Sequence, residues 1–349
     1  MVRIVDSDSG EEDSPLPMSE QEEWSDIVPI PQDDGKHPVC PIAYTDEYRE
    51  MTDYFRAIMA AGEVSQRAFD LSGRVIDANA AHYTAWVYRK KLILELGLDI
   101  SEELSWVSQI SGRHIKNYQL WHHRGALLAL LLDPKDVVHE SQDQRLQIPA
   151  IRNELQFVGE VIDKDSKNFH AWSHRQFVVR SYGIWDQEMA YVETQINQDV
   201  RNNSAWNQRY FVLTTNQPAD VFVLSDEVAD KEIAYAVDKI KLAPNNESPW
   251  SYITGLMVRH APSMLYERLL PSINALAADE EYALAVSSTP FYWSALVDIY
   301  EEQAKTLEAE QQAAVVAFAS EACESLAEKY DPVRAKYWEY RRQALQPGS

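Results

Sequence analysis

Lys116-Asn117-Tyr118-Gln119-Leu120-Trp121-His122-His123-Arg124 decides the fold of this chain, because it recurs. It returns as Lys167-Asn168-Phe169-His170-Ala171-Trp172-Ser173-His174-Arg175 and as Asn202-Asn203-Ser204-Ala205-Trp206-Asn207-Gln208-Arg209. A weaker copy precedes it, His82-Tyr83-Thr84-Ala85-Trp86-Val87-Tyr88-Arg89. The shared frame is Asn, three residues, Trp, two residues, Arg. Repeated demands on the same two positions after one polar residue are the mark of a helical repeat.

Asn accepts backbone N–H groups well at a helix start, so Asn117, Asn168 and Asn202 are expected N-caps. Trp then closes the first turn, and Arg follows three residues later on the same face. Apolar residues continue at helical spacing, as Trp121, Leu128 and Leu132 or as Trp172, Val179 and Tyr182. The intervals between copies supply a second helix, marked by Ile151, Leu155, Val158 and Ile162 or by Met189, Val192 and Ile196. Each unit is thus a helical hairpin, with the Trp wedged between its own helix and the next. Such a hairpin buries its apolar face only against neighbours. Trp residues 86, 121, 172, 206 and 250 are spaced 35, 51, 34 and 44 apart, and Trp293 and Trp338 continue the series. Trp250 keeps Asn246 but has Ile253 in place of Arg, Trp293 has Thr289-Pro290 as a cap and first-turn proline, and Trp338 keeps Arg341. The expected architecture is all-α: a right-handed α/α superhelical solenoid of about seven helical hairpins, of the tetratricopeptide-like kind.

The 349 residues are 45% hydrophobic, ample for a core, and contain only eleven glycines. No apolar run approaches the roughly 20 residues that span a bilayer, so stable membrane insertion is not expected. The amino terminus lacks a secretion-signal pattern. Cys40 and Cys323 stand alone without ligand-like neighbours, which supports neither a disulfide framework nor a zinc motif and points to a reducing, cytoplasmic setting. Residues 1–35 hold eleven acids against Arg3 alone, −10 of the total −23. Residues 1–40 are therefore expected to be a disordered acidic tail, with Ser7 and Ser9 as candidate targets of an acid-directed kinase, ahead of a single helical-repeat domain over 41–349. The body remains acidic, which argues against nucleic-acid binding. A leading helix is expected within 42–60, another from about Ser65 to Asp77, and loop insertions at 133–147 and 214–227.

No phosphate-cradling glycine loop or nucleophile elbow is present, and His122-His123, being adjacent, cannot both face one metal from a helix. Lys116, Lys167 and Arg201 each precede a cap. Stacking places them along one edge beside helix N-termini, where N–H groups and the dipole favour anions. The alternatives are a phosphate or diphosphate site, solubilising surface cations, and salt bridges to a partner. The repeated Trp and Arg read as architecture, the Arg tying adjacent hairpins to a carboxylate.

The repeat resembles that of the protein prenyltransferase α-subunits, over roughly residues 40–345 and most strongly over 79–213. Lys116-Asn117-Tyr118-Gln119 is similar to the α-subunit shared by protein farnesyltransferase and geranylgeranyltransferase type I. That resemblance implies a crescent wrapped around a β-subunit that holds catalytic zinc, with magnesium an optional companion of the diphosphate. The zinc-bound thiolate of a CaaX cysteine, on GTPases of the Ras and Rho type, attacks C1 of farnesyl or geranylgeranyl diphosphate. By the same resemblance Lys116 is the catalytic lysine for the diphosphate and Tyr118 lines that region. Gln119 bonds the peptide carboxylate, Asn168, Phe169 and His170 face the active site, and Tyr83 lines the peptide side. Arg124 and Trp172 support the site. The family commonly has tyrosine where Phe169 stands. Two other readings remain: a Rab-type geranylgeranyltransferase α-subunit and a non-catalytic helical-repeat scaffold.

Overall fold

The computed structural model describes residues 16–215 and 223–345. Among the described residues there is no β-strand. The chain forms two compact units, residues 1–133 and 134–349.

The first unit holds α1 (Asp46–Ala61), α2 (Gln66–Ala78), α3 (Tyr83–Leu96), α4 (Ile100–His114) and α5 (Tyr118–Leu131). Helices α2 and α3 form one hairpin, α4 and α5 the next, and α3 packs against α5. Local chemistry sets the boundaries. Ser65 caps α2 through Ala68 N–H, and Asp99 caps α4 through Ser101 N–H. Gly97 ends α3 in the left-handed conformation, φ 66°, where a Cβ is unfavourable.

The second unit holds a 3-10 turn Pro134–Val137, α6 (Gln142–Gln147), α7 (Pro149–Lys164), α8 (Phe169–Tyr182), α9 (Trp185–Gln198) and α10 (Asn203–Thr215). Next come α11 (Asp226–Leu242), α12 (Glu247–His260), α13 (Pro262–Met264), a π-helical turn Leu265–Leu269, α14 (Leu270–Ala278) and α15 (Ala283–Ser287). Helices α16 (Pro290–Ala304), α17 (Ala309–Ser325), a π-helical turn Leu326–Tyr330 and α18 (Ala335–Ala344) complete it. Helices α8, α10, α12 and α16 pack in a row, each on the next.

Each repeated Trp closes the turn before its own helix. The indole Nε1–H donates to the carbonyl six residues back: Trp86 to Ala80, Trp121 to Ile115, Trp172 to Ser166, Trp206 to Val200, Trp250 to Pro244 and Trp293 to Ser287, all at 2.7–3.0 Å. Asn202 and Asn246 add a tie to the previous hairpin, their Nδ2 donating to Ser166 O at 2.9 Å and Val200 O at 2.8 Å.

Adjacent hairpins are joined by a buried carboxylate. Glu103 takes Arg89 from the hairpin before it, at 2.7 and 2.8 Å, and the Nε2–H of His123 from its own, at 2.9 Å. Glu188 likewise takes Arg175 and Gln208, and Glu232 takes Arg209 and Tyr252. Three residues beyond each acid, Trp106, Tyr191 or Tyr235 stacks on the same guanidinium at 3.9, 3.4 and 3.8 Å from ring centroid. The expected Arg-to-carboxylate tie is therefore present within both units. Copy five has Ile253 in place of Arg, and Ala275 stands at the matching acid position before Trp293, so arginine and its partner are lost together.

Two expectations are corrected. Residues 16–30 lie against α1 and α2: Met18 and Trp24 are only 2% and 3% exposed, and Ile30 N–H donates to Asp53 O at 3.1 Å. Two large apolar side chains among the acids suffice to dock this stretch, so the expected disordered tail over 1–40 does not describe residues 16–30, while 31–40 are exposed and without regular structure; Ser7 and Ser9 lie outside the described residues. The 133–147 insertion carries α6, opened by a Ser141–Gln144 capping box. Arg145 pins it by donating to the carbonyls of Val137, Val138, Tyr182 and Gly183. In the other insertion, residues 216–222 lie outside the described residues.

Candidate functional site

The sequence-selected residues stand at or near the first turns of α3 and α5 in the first unit and of α8 in the second. In the first unit, Asn117 Oδ1 accepts from the backbone of Gln119 at 2.8 Å and of Leu120 at 3.4 Å, which starts α5. The Trp121 indole closes the turn from inside. Lys116 is thereby held exposed one residue before the cap, with Tyr118 exposed just inside the helix and Gln119 half-buried beside it. These three side chains share one turn whose free N–H groups carry partial positive charge.

Tyr83 occupies the same first position on α3, which packs against α5. Its cap is His82, whose Nδ1 accepts Ala85 N–H at 3.3 Å. An accepting Nδ1 requires the neutral imidazole, and burial, with Arg56 nearby, holds the His82 pKa below its ordinary value. Arg124 is buried behind this surface, donating to Leu104 O and to Ser108 Oγ at 2.8 Å, bonds that hold α5 on α4.

The second unit repeats the turn. Asn168 Oδ1 accepts Ala171 N–H at 3.0 Å and is buried, while Lys167 and Phe169 are exposed. His170 is half-buried and meets the Phe169 ring edge-on, centroids 5.7 Å apart. Trp172 is buried and closes the turn, so its support of the surface is indirect. Arg201 is exposed before Asn202 in the same register.

The first helical residues Tyr83, Tyr118 and Phe169 are 66%, 68% and 66% exposed. Val87 and Leu94 extend the exposed apolar face of α3, and Phe177 is exposed on α8. Exposed aromatic and aliphatic residues at helical spacing mark a face made for contact.

Among the described residues, no three His, Cys, Asp or Glu side chains are grouped to hold a metal ion. Cys40 is exposed; Cys323 is buried, and burial pushes its thiol up to about 11. Zinc therefore finds no fitting donor set among them. No described helix is long and apolar enough to cross a membrane.

Sequence reasoning missed the clamp residues Glu103, Glu188 and Glu232 and their acceptor-facing partners His123, Gln208 and Tyr252. The available signal was Glu-x-x-aromatic placed 18 residues before each Trp: Glu103/Trp106, Glu154/Phe157, Glu188/Tyr191 and Glu232/Tyr235.

The protein prenyltransferase alpha subunit repeat matches residues 65–96, 100–131, 151–182 and 185–216, each match spanning one hairpin from α2–α3 to α9–α10. The chain is 34% identical to the protein farnesyltransferase/geranylgeranyltransferase type-1 subunit alpha of Dictyostelium discoideum, over 96% of each chain. It is 36% identical to that of Solanum lycopersicum, over 94% of this chain and 90% of the relative. Among solved structures it resembles Candida albicans protein geranylgeranyltransferase-I complexed with GGPP, with TM-score 0.73 and 26% identity, over 93% of this chain and 98% of the other. The geranylgeranyl transferase type-2 subunit alpha of Bos taurus is more distant, 25% identical over 58% of this chain and 35% of the relative.

Proposed function

Since the chain belongs to the family of α-subunits shared by protein farnesyltransferase and geranylgeranyltransferase type 1, we propose that it pairs with a zinc-bearing β-subunit to prenylate CaaX cysteines. The reaction forms a bond from the cysteine sulfur to C1 of farnesyl or geranylgeranyl diphosphate and breaks the C1–O bond. Diphosphate leaves with the electron pair, and the thiol proton passes to solvent water. Zinc held by the partner would supply stabilisation of the cysteine thiolate, and magnesium, where used, would accompany the diphosphate.

This chain's residues would serve the leaving group and the peptide. The observation that carries the reading is the exposed Lys116 held rigidly at the N-terminal turn of α5. Its ammonium and the turn's N–H groups offer positive charge where the diphosphate gains negative charge as C1–O breaks. Tyr118 would line the diphosphate region and Gln119 would bond the peptide's terminal carboxylate. Tyr83 would form the peptide-side wall, and Asn168, Phe169 and His170 a second wall. Asn168 is buried, so its share is to cap α8 and set Phe169 and His170. Phe169 lacks the hydroxyl of the usual tyrosine and supplies a ring face only. The exposed apolar faces of the row helices support docking of the β-subunit. The Trp series continues from Trp86 to Trp338, which supports reading 41–349 as one repeat domain.

Two cysteines without ligand-like neighbours, and no span-length apolar helix among the described residues, agree with a cytoplasmic enzyme; its substrates would be GTPases of the Ras and Rho type. The Rab-type alternative is disfavoured by the shorter match to the type-2 subunit, and a bare scaffold gives no reason for Lys116 beside Gln119. The test is co-expression with a candidate β-subunit and assay of zinc-dependent transfer to a CaaX peptide. Transfer needing both chains supports the proposal; an intact heterodimer without transfer overturns it.

A further inference from the structure

We infer that Ser19 is a phosphorylation site whose modification releases the amino-terminal strap formed by residues 16–30. This inference does not depend on the transferase reading. The amino-terminal end of the strap is anchored by one carboxylate: Glu50 of α1 accepts Met18 N–H at 2.9 Å, Ser19 N–H at 3.0 Å and the Ser19 hydroxyl at 2.7 Å. Downstream, Arg67 donates to both oxygens of Asp26 at 2.7 and 2.9 Å and lies over the Trp24 ring, which meets Tyr54 edge-on. Ile30 N–H and the Arg56 side chain complete the attachment, through Asp53 O and Ile30 O.

Ser19 is exposed, and the residues after it are Glu20, Gln21, Glu22 and Glu23, so acids stand at the first, third and fourth positions beyond the hydroxyl. That pattern suits a protein kinase that selects acidic residues on the carboxy-terminal side of its target. The γ-phosphoryl group of ATP passes to Ser19 Oγ. The Oγ–P bond forms as the γ-phosphorus separates from the β–γ bridging oxygen, ADP takes the electron pair, and the hydroxyl proton goes to the kinase's base.

The product cannot keep the anchor. The ester oxygen has no proton to donate to Glu50, and the phosphate adds about −1.5 to −2 of charge beside it. Asp46, Glu47 and Glu50 border the cavity next to Met18 together with Arg74, and Arg49 pairs with Asp46 at 3.0 Å, so acids outnumber cations there. The hydrogen bonds that hold Glu50 ionised, its carboxyl lowered despite burial, fix a negative charge at that spot. Repulsion therefore acts on the residue next to buried Met18, and loss of that contact loosens the chain as far as Ile30.

The test treats the full-length chain with an acid-directed kinase and ATP, locates the phosphate by fragmentation mass spectrometry, and follows hydrogen exchange peptide by peptide. The expected result is phosphate on Ser19, absent in Ser19→Ala, with exchange of the Ile30 amide accelerated at least tenfold. Glu50→Ala without phosphate is expected to accelerate it likewise. No phosphate on Ser19 while a free peptide of residues 16–26 is modified in parallel overturns the site. Phosphate on Ser19 with unchanged exchange at Ile30, as when Arg74 recaptures the phosphate, overturns the release.

Discussion

Glu188→Ala tests whether buried carboxylates hold the hairpins together. The Glu188 side chain is buried between α8 and α10 and accepts Arg175 Nε at 2.8 Å, Arg175 Nη2 at 2.7 Å and Gln208 Nε2 at 2.8 Å. Truncation removes the acceptor and leaves a guanidinium that is buried and cannot lose its proton. Stranding one member of a buried ion pair costs about 3–5 kcal/mol. The orphaned Gln208 amide adds about 1 kcal/mol. Arg175 keeps its stacking on Tyr191, 3.4 Å from the ring centroid, in both forms, so that contact drops out of the difference. The expected net loss is about 4–6 kcal/mol, or a fall in Tm on the order of 10 °C for a unit of this size. Urea unfolding followed by far-ultraviolet circular dichroism measures it. The double variant Glu188→Leu/Arg175→Met removes both charges and should recover to within about 1 kcal/mol of the parent. A single-variant loss below about 1 kcal/mol, or a double variant as unstable as the single, would show that the hairpins are joined by packing alone.

Lys116→Ala, assayed as the heterodimer, should lower kcat roughly 10²-fold, the usual cost of one preorganised donor to a developing anion; unchanged kcat removes Lys116 from the chemistry. Trp121→Phe keeps the ring but loses the bond to Ile115 O, so it should cost about 1 kcal/mol in unfolding experiments while lowering kcat several-fold through a looser Lys116 turn. Equal kcat at reduced stability would separate that turn from the reaction. Gly183 has φ 59°, and a Cβ there would stand 2.5 Å from Arg145 Nη1. Gly183→Ala should therefore cost about 1–2 kcal/mol for the left-handed backbone alone and raise hydrogen exchange in α6 as Arg145 is displaced; an unperturbed α6 would refute the pin. Acid should destabilise the first unit through Glu103 and His123. Burial pushes Glu103 up, but bonds from His123 and Arg89 outweigh it and hold the carboxyl below 4.5, while burial holds His123 below 6.5. Both folded values lie below the unfolded ones, so the folded state binds fewer protons and its stability falls as pH drops, first below 6.5 through His123 and then below 4.5 through Glu103. Tm measured from pH 7 to 4 should decline, and His123→Gln should flatten the upper part; a Tm rising below pH 6.5 would contradict the sign.

The hairpin array was legible because Trp, Asn and Arg each answer a local demand: closing a turn, capping a helix and reaching across the next interface. The clamp was less legible because its acceptor-facing partner varies in kind. His123, His174, Gln208 and Tyr252 share a position two residues after Trp and a bond to a glutamate 20 residues earlier, but donate through three different groups. Composition misled for residues 16–30, where the charge of many acids outweighed Met18 and Trp24, although two buried side chains and one carboxylate anchor settle the conformation. For the candidate site, the sequence located the turn around Lys116 and read the repeated Trp and Arg as architecture, but not the groups that receive Arg124. Leu104 O and Ser108 Oγ lie in another helix, which spacing within one copy does not reveal.

Architecture and exposure divide the repeat between them. Within each copy the cap, the Trp, the position two beyond it and the Arg are committed to holding helices together, and these positions are buried or nearly so in copies two, three and four. The residue before the cap, the first helical residue and the residue after Trp stay exposed: Lys116, Tyr118 and His122, then Lys167, Phe169 and Ser173, then Arg201, Asn203 and Asn207. Closure of the turn uses a backbone carbonyl, the indole and the Asn amide. Two of the three exposed positions accordingly vary freely between copies. The third does not, being cationic in all three within a chain of net charge −23. A cation repeated beside helix N-termini that already favour anions agrees with the role proposed for Lys116 toward a diphosphate.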